Sequence, residues 1–212
     1  MKALFDSYLT IFLHPFRIYD HFYEGIPLTG RELNPVKRLS LTEVLSVSWL
    51  IAIARAFLDL IMLNFVFTSV ASYFTNNDDF FTLLGLSTSF AGYYFFLIKL
   101  VIETLLFPML SLGWAIFWEF FLKHLGNFLA VDDAEEKARV IVSNSLTSNF
   151  IRIIPVFGDI AQGLLSTVHI YAGLKKSFGL NSKSAFIAIS LPFLLICLFF
   201  AFGLVCLTLL FI

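Results

Sequence analysis

Long apolar stretches alternate with short polar patches along this chain, and their lengths predict helices that cross a membrane. Ser40-Leu-Thr-Glu43 reads as a capping box, preceded by Pro35 and the basic pair Lys37-Arg38. A first span then runs over about 41–70 and ends before the polar turn Asn76-Asn77-Asp78-Asp79. From Phe80 to Phe121 the chain is almost continuously apolar, broken only by Lys99, Glu103 and Glu119. A single helix of that length would be roughly 63 Å long, about twice the hydrocarbon thickness. Two spans, about 80–100 and 104–125, with a reversal at Lys99–Glu103, are the economical reading. No Gly, Pro or Asn between Gly92 and Pro108 marks that reversal. A longer tilted helix that turns near Pro108 is the alternative.

Residues 131–150 change character. Asp132-Asp-Ala-Glu135 reads as a second capping box, and the following DDAEEKARVIVSNSLTSNF is too polar to span. It predicts an amphipathic connector helix at the surface over 132–149. A fourth span is expected over about 155–174, after Pro155 and before Lys175, Lys176 and Gly179, which suit a helix C-terminus. A fifth, over 184–212, is apolar all round with a kink near Pro192. Residues 1–39 form a separate N-terminal segment ahead of a transmembrane domain over 40–212. Within it, apolar and polar positions interleave over 2–13, predicting a helix that lies at the membrane surface or packs on the protein and stops near Pro15. This stretch is not a signal peptide by pattern, since Asp6 interrupts it and its basic region is Lys2 alone.

Composition agrees with this polytopic, all-α class of about five transmembrane helices plus amphipathic surface helices. Of 212 residues 59% are hydrophobic, 27 are Phe and only 14% are charged, against about 25% in ordinary soluble domains. So few charges cannot cover a soluble core, which argues against a soluble enzyme. A net charge of -1 gives no reason to expect nucleic acid. Cys197 and Cys206 point to different helix faces, and no Cys/His spacing suggests a metal or other cofactor. With the N-terminus inside, Lys2, Arg17, Arg31, Lys37, Arg38, Lys99, Lys175, Lys176 and Lys183 outnumber Lys123, Lys137, Arg139 and Arg152 outside. This favours a cytoplasmic N-terminus, as in a bacterial inner membrane. The basic residues of 123–152 fit that arrangement poorly.

The polar groups inside the apolar stretches are the candidate chemistry. Asp159, Gln162, Ser166, His169 and Gly173 recur at spacings of three and four, so they share one helix face. Ser48, Ala52, Arg55 and Asp59 do the same in the first span, Gly85, Ser89, Gly92, Lys99 and Glu103 in the second, and Ser111, Ala115 and Glu119 in the third. Lipid offers these groups no partner, so the stripes should face the bundle interior. Arg55–Asp59, Lys99–Glu103 and Glu119–Lys123 are i,i+4 pairs of opposite sign, which lowers the cost of burying them. The candidate polar core or pathway is therefore Arg55, Asp59, Lys99, Glu103, Glu119, Asp159, Gln162, Ser166 and His169. It is either a polar path for ions or a small solute, or a set of structural contacts between helices that use small residues for close approach. No nucleophile, zinc, P-loop or dinucleotide motif occurs, so catalysis is not expected.

Residues 139–195 resemble the Yip1 domain family of multispanning membrane proteins. The resemblance rests on Pro155-x-x-Gly158 at the head of a helix, Gly173-Leu174-Lys175-Lys176 through Phe178-Gly179-Leu180, the entry Lys183-Ser184-Ala185, and Pro192. Phe12-Leu-His-Pro15-Phe16 is similar to the lead-in of compact bacterial members. The resemblance implies five spans and a cytoplasmic N-terminus. Eukaryotic members act in vesicle traffic and bind Rab-class GTPases, but this chain lacks the Asp-Leu-Tyr-Gly-Pro segment that marks them. The resemblance therefore implies architecture and carries no trafficking role here. The surface helices, as an interface-level docking face, and the small residues, as close helix contacts, point instead to a non-enzymatic membrane protein that organises or scaffolds partners, either copies of itself or other membrane proteins. A transporter or channel is the second expectation.

Overall fold

The computed structural model describes residues 2–26, 36–74, 91–155 and 157–210. The turn expected at 76–79, most of the span expected over 80–100 and the side chains of Lys99 and Glu103 lie outside the described residues. Those described are helical, with no strand: α1 (Lys2–Leu13), α2 (Arg17–Glu24), α3 (Leu41–Phe74), α4 (Ala91–Phe128), α5 (Ala134–Leu146), a 3-10 helix (Thr147–Ile153), α6 (Gly158–Lys176) and α7 (Ser182–Leu210). Three of these contain stretches long and apolar enough to cross a membrane: Leu41–Met62, Leu100–Phe128 and Ser182–Val205.

The start of α3 is set by its capping box. The Ser40 N–H donates to Glu43 Oε2 at 2.8 Å and the Glu43 N–H to Ser40 Oγ at 3.3 Å. The reversal expected at Lys99–Glu103 does not form. Instead α4 runs unbroken for 38 residues, about 57 Å, with Pro108 inside it. Nothing in the sequence there breaks a helix, and the one break that Pro108 makes is repaired. A proline cannot bond the carbonyl four residues back, which here belongs to Thr104. The indole Nε1 of Trp49 on α3 donates to that freed oxygen at 3.0 Å.

The larger correction concerns the second half of the expected connector over 132–149. Residues 132–140 keep an exposed face, with Asp132, Asp133, Glu135, Glu136 and Arg139 outward, but every residue from Ile141 to Asn149 is 2% exposed or less. Polarity there does not mean exposure, because the segment satisfies much of itself. Ser145 Oγ donates to the Val142 carbonyl at 2.8 Å, Thr147 Oγ1 to Asn144 at 2.6 Å and Ser148 Oγ to Ser145 at 2.6 Å. Hydroxyls bonded to carbonyls three residues back can be buried at little cost. The second capping box is absent too. Asp133 is the N-cap, in a left-handed conformation and with no side-chain cap bond, while Glu135 pairs with Lys123 and Arg139.

The segment α5, the 3-10 helix and α6 together form a hairpin that enters and leaves at one end of the bundle. Arg38, just before α3, donates to Glu136 at the start of α5 and to the Phe22 carbonyl of α2. Asp20, also on α2, pairs with Lys176 at the end of α6 at 2.8 Å. Lys123 near the end of α4 reaches Glu135. These contacts tie the start of α3, the end of α4 and both ends of the hairpin together. The i,i+4 pairing expected between Glu119 and Lys123 is accordingly replaced, with Glu119 bonded to Arg139 at 3.1 Å.

Around the hairpin, α1 ends at Leu13 before Pro15 and buries Ser7, Tyr8 and Ile11 against the bundle. Its Phe5 and Leu13 stay outward. Gly173 on α6 lets the two arms of the hairpin and α2 meet: a Cβ there would lie 2.5 Å from Ile141 Cγ1 and 2.9 Å from Tyr19 Oη. By contrast α7 buries Ala185, Ala188 and Ile189 in its first turns, while among its later described residues Phe199, Phe200, Phe202 and Leu204 are largely exposed.

Candidate functional site

A cleft lies where α3, α4, the 3-10 helix and α6 converge. Pro155 ends the 3-10 segment, and the turn after it starts α6 at Gly158, whose missing side chain lets the helix start close against Ile151 and Arg152. Asp159 thus falls in the first helical turn. It does not cap; the N-cap, Phe157, has no side-chain cap bond either. The Asp159 carboxylate instead reaches across to α3. Arg55 Nη1 and Nη2 donate to its two oxygens, both at 2.6 Å, in a bidentate fork. Arg55 Nε also lies 3.4 Å from Asp59 Oδ2, the i,i+4 pair read from the sequence. Arg152 completes the cluster from the 3-10 helix, with Nε 2.9 Å from Asp159 Oδ1 and its guanidinium 4.9 Å from the Phe107 ring centroid.

Arg55, Arg152 and Asp159 line one wall of a cavity of about 440 Å³, together with Asn149, Gln162 and Ser166; the opposite wall is mainly apolar, from Ile102, Leu106, Leu110 and Trp114 of α4 with Ser111. Asp59 is not part of the lining, but through Arg55 it joins a cluster that balances two guanidiniums against two carboxylates. Behind the polar wall sits a closed network. Asn149 Nδ2 donates to Ser48 Oγ at 3.3 Å, Ser48 shares a 3.0 Å hydrogen bond with Tyr8 Oη, and both hydroxyls point at the Leu146 carbonyl. Burial pushes the Tyr8 phenol well above its ordinary pKa despite the Ser48 contact, so it stays a neutral donor. Gln162 Nε2 reaches Ser148 Oγ at 3.5 Å. Ser166 Oγ is buried with no hydrogen-bond partner among the described residues.

Of the sequence candidates, Arg55, Asp59, Asp159, Gln162 and Ser166 come together. His169 does not join them. It lies ten residues beyond Asp159, about 15 Å along α6, and is fully buried, with neither ring nitrogen meeting a hydrogen-bond partner among the described residues. Glu119 belongs to the ionic end of the bundle. Arg152 and Asn149 were missed by sequence reasoning because the segment was taken for a surface connector. The signal that could have found Arg152 is its spacing of seven from Asp159 across a Pro-x-x-Gly turn, which brings it back beside the first turn of α6. No family model, curated protein or solved structure matches this chain.

Proposed function

We propose that this chain is a non-enzymatic, Yip1-like membrane protein that holds a ligand or partner at its cleft and organises membrane partners, with no solute passing through it. The observation that carries this reading is the closed inner end of the cleft. The polar stripe of α6 runs from Asp159 through Ser166 into a packed interior, where Leu146, Asn149 and His169 are almost wholly buried. A site walled on one side by charge and on the other by aliphatic side chains suits binding.

In this reading three helices, α3, α4 and α7, cross the bilayer, and the α5–α6 hairpin dips in and returns, in place of five full spans. A break in α-helical backbone at membrane depth is tolerated where protein buries it, and in the 3-10 segment Thr147, Ser148 and Asn149 are buried. Lys123, Lys137 and Arg139 then join Lys37, Arg38, Lys175, Lys176 and Lys183 on one side, the cytoplasmic side by the positive-inside rule. The membrane is, by this reading, a bacterial inner membrane. The outward apolar half of α7 is the surface for another membrane helix, a second copy or a different protein. A stable co-purifying partner or a dimer constant across detergents is expected; a strictly monomeric, partnerless chain in native lipid overturns the scaffolding role.

Transport is the second reading, favoured by one observation: four ionisable groups, Arg55, Asp59, Arg152 and Asp159, form one cluster among apolar helices, three of them lining the cleft. If it holds, liposomes carrying the protein pass ions or a small polar solute, and Asp159→Asn abolishes the flux with folded yield intact. Flux equal to empty liposomes between pH 5 and 8 removes it.

A further inference from the structure

Taking the cleft as a binding site, we propose that its ligand is an amphiphile with a phosphate ester head group, a membrane phospholipid whose phosphate docks on Arg152. The two arginines are not equivalent. Arg55 spends both terminal nitrogens on the Asp159 carboxylate and neutralises it. Arg152 gives Asp159 only its Nε, so its terminal nitrogens have no acceptor among the described residues. A guanidinium fork held over the Phe107 ring, with its terminal nitrogens unspent, matches the oxygens of a phosphate. A second feature also points to a ligand: Ser166 Oγ, 2% exposed, lines the cleft with no partner.

The opposite wall selects an amphiphile over a soluble phosphate. Ile102, Leu106 and Leu110 are 48%, 44% and 70% exposed along one side of α4, continuous with its outward apolar face. A cavity of about 440 Å³ accommodates a head group and the first methylenes, leaving the chains in the bilayer.

The test measures ligand-induced thermal protection and bound mass on the full chain in a maltoside detergent. Probes are dihexanoyl phosphatidylglycerol and phosphatidylethanolamine, glycerol phosphate, inorganic phosphate, and a hexyl glycoside without phosphate. The proposal expects one short-chain phospholipid per chain, binding at least tenfold weaker in Arg152→Gln and Arg152→Lys. It expects no such loss in Gly113→Ala, a site with nothing within 4 Å of a new side chain. Equal protection by inorganic or glycerol phosphate overturns the lipid. Equal protection by the glycoside, unchanged in the Arg152 variants, overturns phosphate recognition while leaving the cleft a binding site. Protection by none of the probes, from a folded sample, overturns both.

Discussion

Replacing Gly173 with Ala tests whether the polar hairpin is truly packed inside the bundle. Two effects oppose each other. Alanine gains about 0.8–1 kcal/mol over glycine in a helix interior. Against this, the new Cβ would sit 2.5 Å and 2.8 Å from two Ile141 carbons and 2.9 Å from Tyr19 Oη. Ile141 is 0% exposed and Tyr19 1%, so neither can swing into solvent. Overpacking of this kind costs about 1–3 kcal/mol, and three close contacts with fixed atoms put Gly173 in the upper half of that range. The net expectation is a loss of about 1–2 kcal/mol. Gly163, on the same helix, has nothing within 4 Å of a new Cβ, so Gly163→Ala should gain about 0.5–1 kcal/mol. For a domain of this size 1 kcal/mol moves Tm by about 2–4 °C, which separates the two variants by roughly 5–10 °C in detergent melts followed by tryptophan fluorescence. A cycle with Ile141→Ala should show the two changes coupled by about 1 kcal/mol or more. If Gly173→Ala melts at or above the wild type, α5 and α6 do not pack as described.

Further outcomes follow from other contacts. Trp49→Phe strands the Thr104 carbonyl and should cost about 1–3 kcal/mol, whereas in a Pro108→Ala background the restored N–H makes the same change nearly neutral in thermal melts. Asp159→Asn removes the carboxylate shared by two arginines and should lower Tm more than Asp59→Asn, which among the described residues makes a single 3.4 Å ion pair, with Arg55; equal effects would contradict the bidentate assignment. The buried phenols of Tyr8 and Tyr19 both have folded pKa values raised above 10.0 by desolvation. Their contribution is complete below pH 10 and is lost as pH rises through the folded values. Stability should therefore fall above pH 10, and Tyr8→Phe with Tyr19→Phe should flatten that fall; an unchanged slope would count against their burial.

The fold was legible where one local rule governed. The Ser40–Glu43 box and the Pro15 stop are encoded within a turn of sequence, and both form. The polar stripes of α3 and α6 were legible as facing surfaces, since Arg55, Asp159 and Ser166 line one cleft, while the side chains of the stripe expected over 85–103 lie outside the described residues. Polarity misled over 141–149, where hydroxyls bonded to their own main chain hide inside the bundle. Pro108 misled as a possible turn, since the compensating indole comes from Trp49, far away in sequence. Lys123 and Glu119 have each other at the right spacing but find partners on α5, a choice set by tertiary approach. Arg152 was invisible for the same reason: its role depends on the hairpin bringing the 3-10 helix back beside Arg55.

The central claim is that the α5–α6 segment is a buried hairpin with both ends on one side of the membrane. Single cysteines at Lys37, Asp133, Gly179 and Leu210, in a chain with Cys197 and Cys206 replaced by serine, can be labelled with an impermeant maleimide in right-side-out and inverted vesicles. Positions 37, 133 and 179 are predicted to label together from the cytoplasmic side and position 210 from the opposite side. Labelling of 133 from the side opposite to 179 would mean that α6 crosses the bilayer, and would contradict the account.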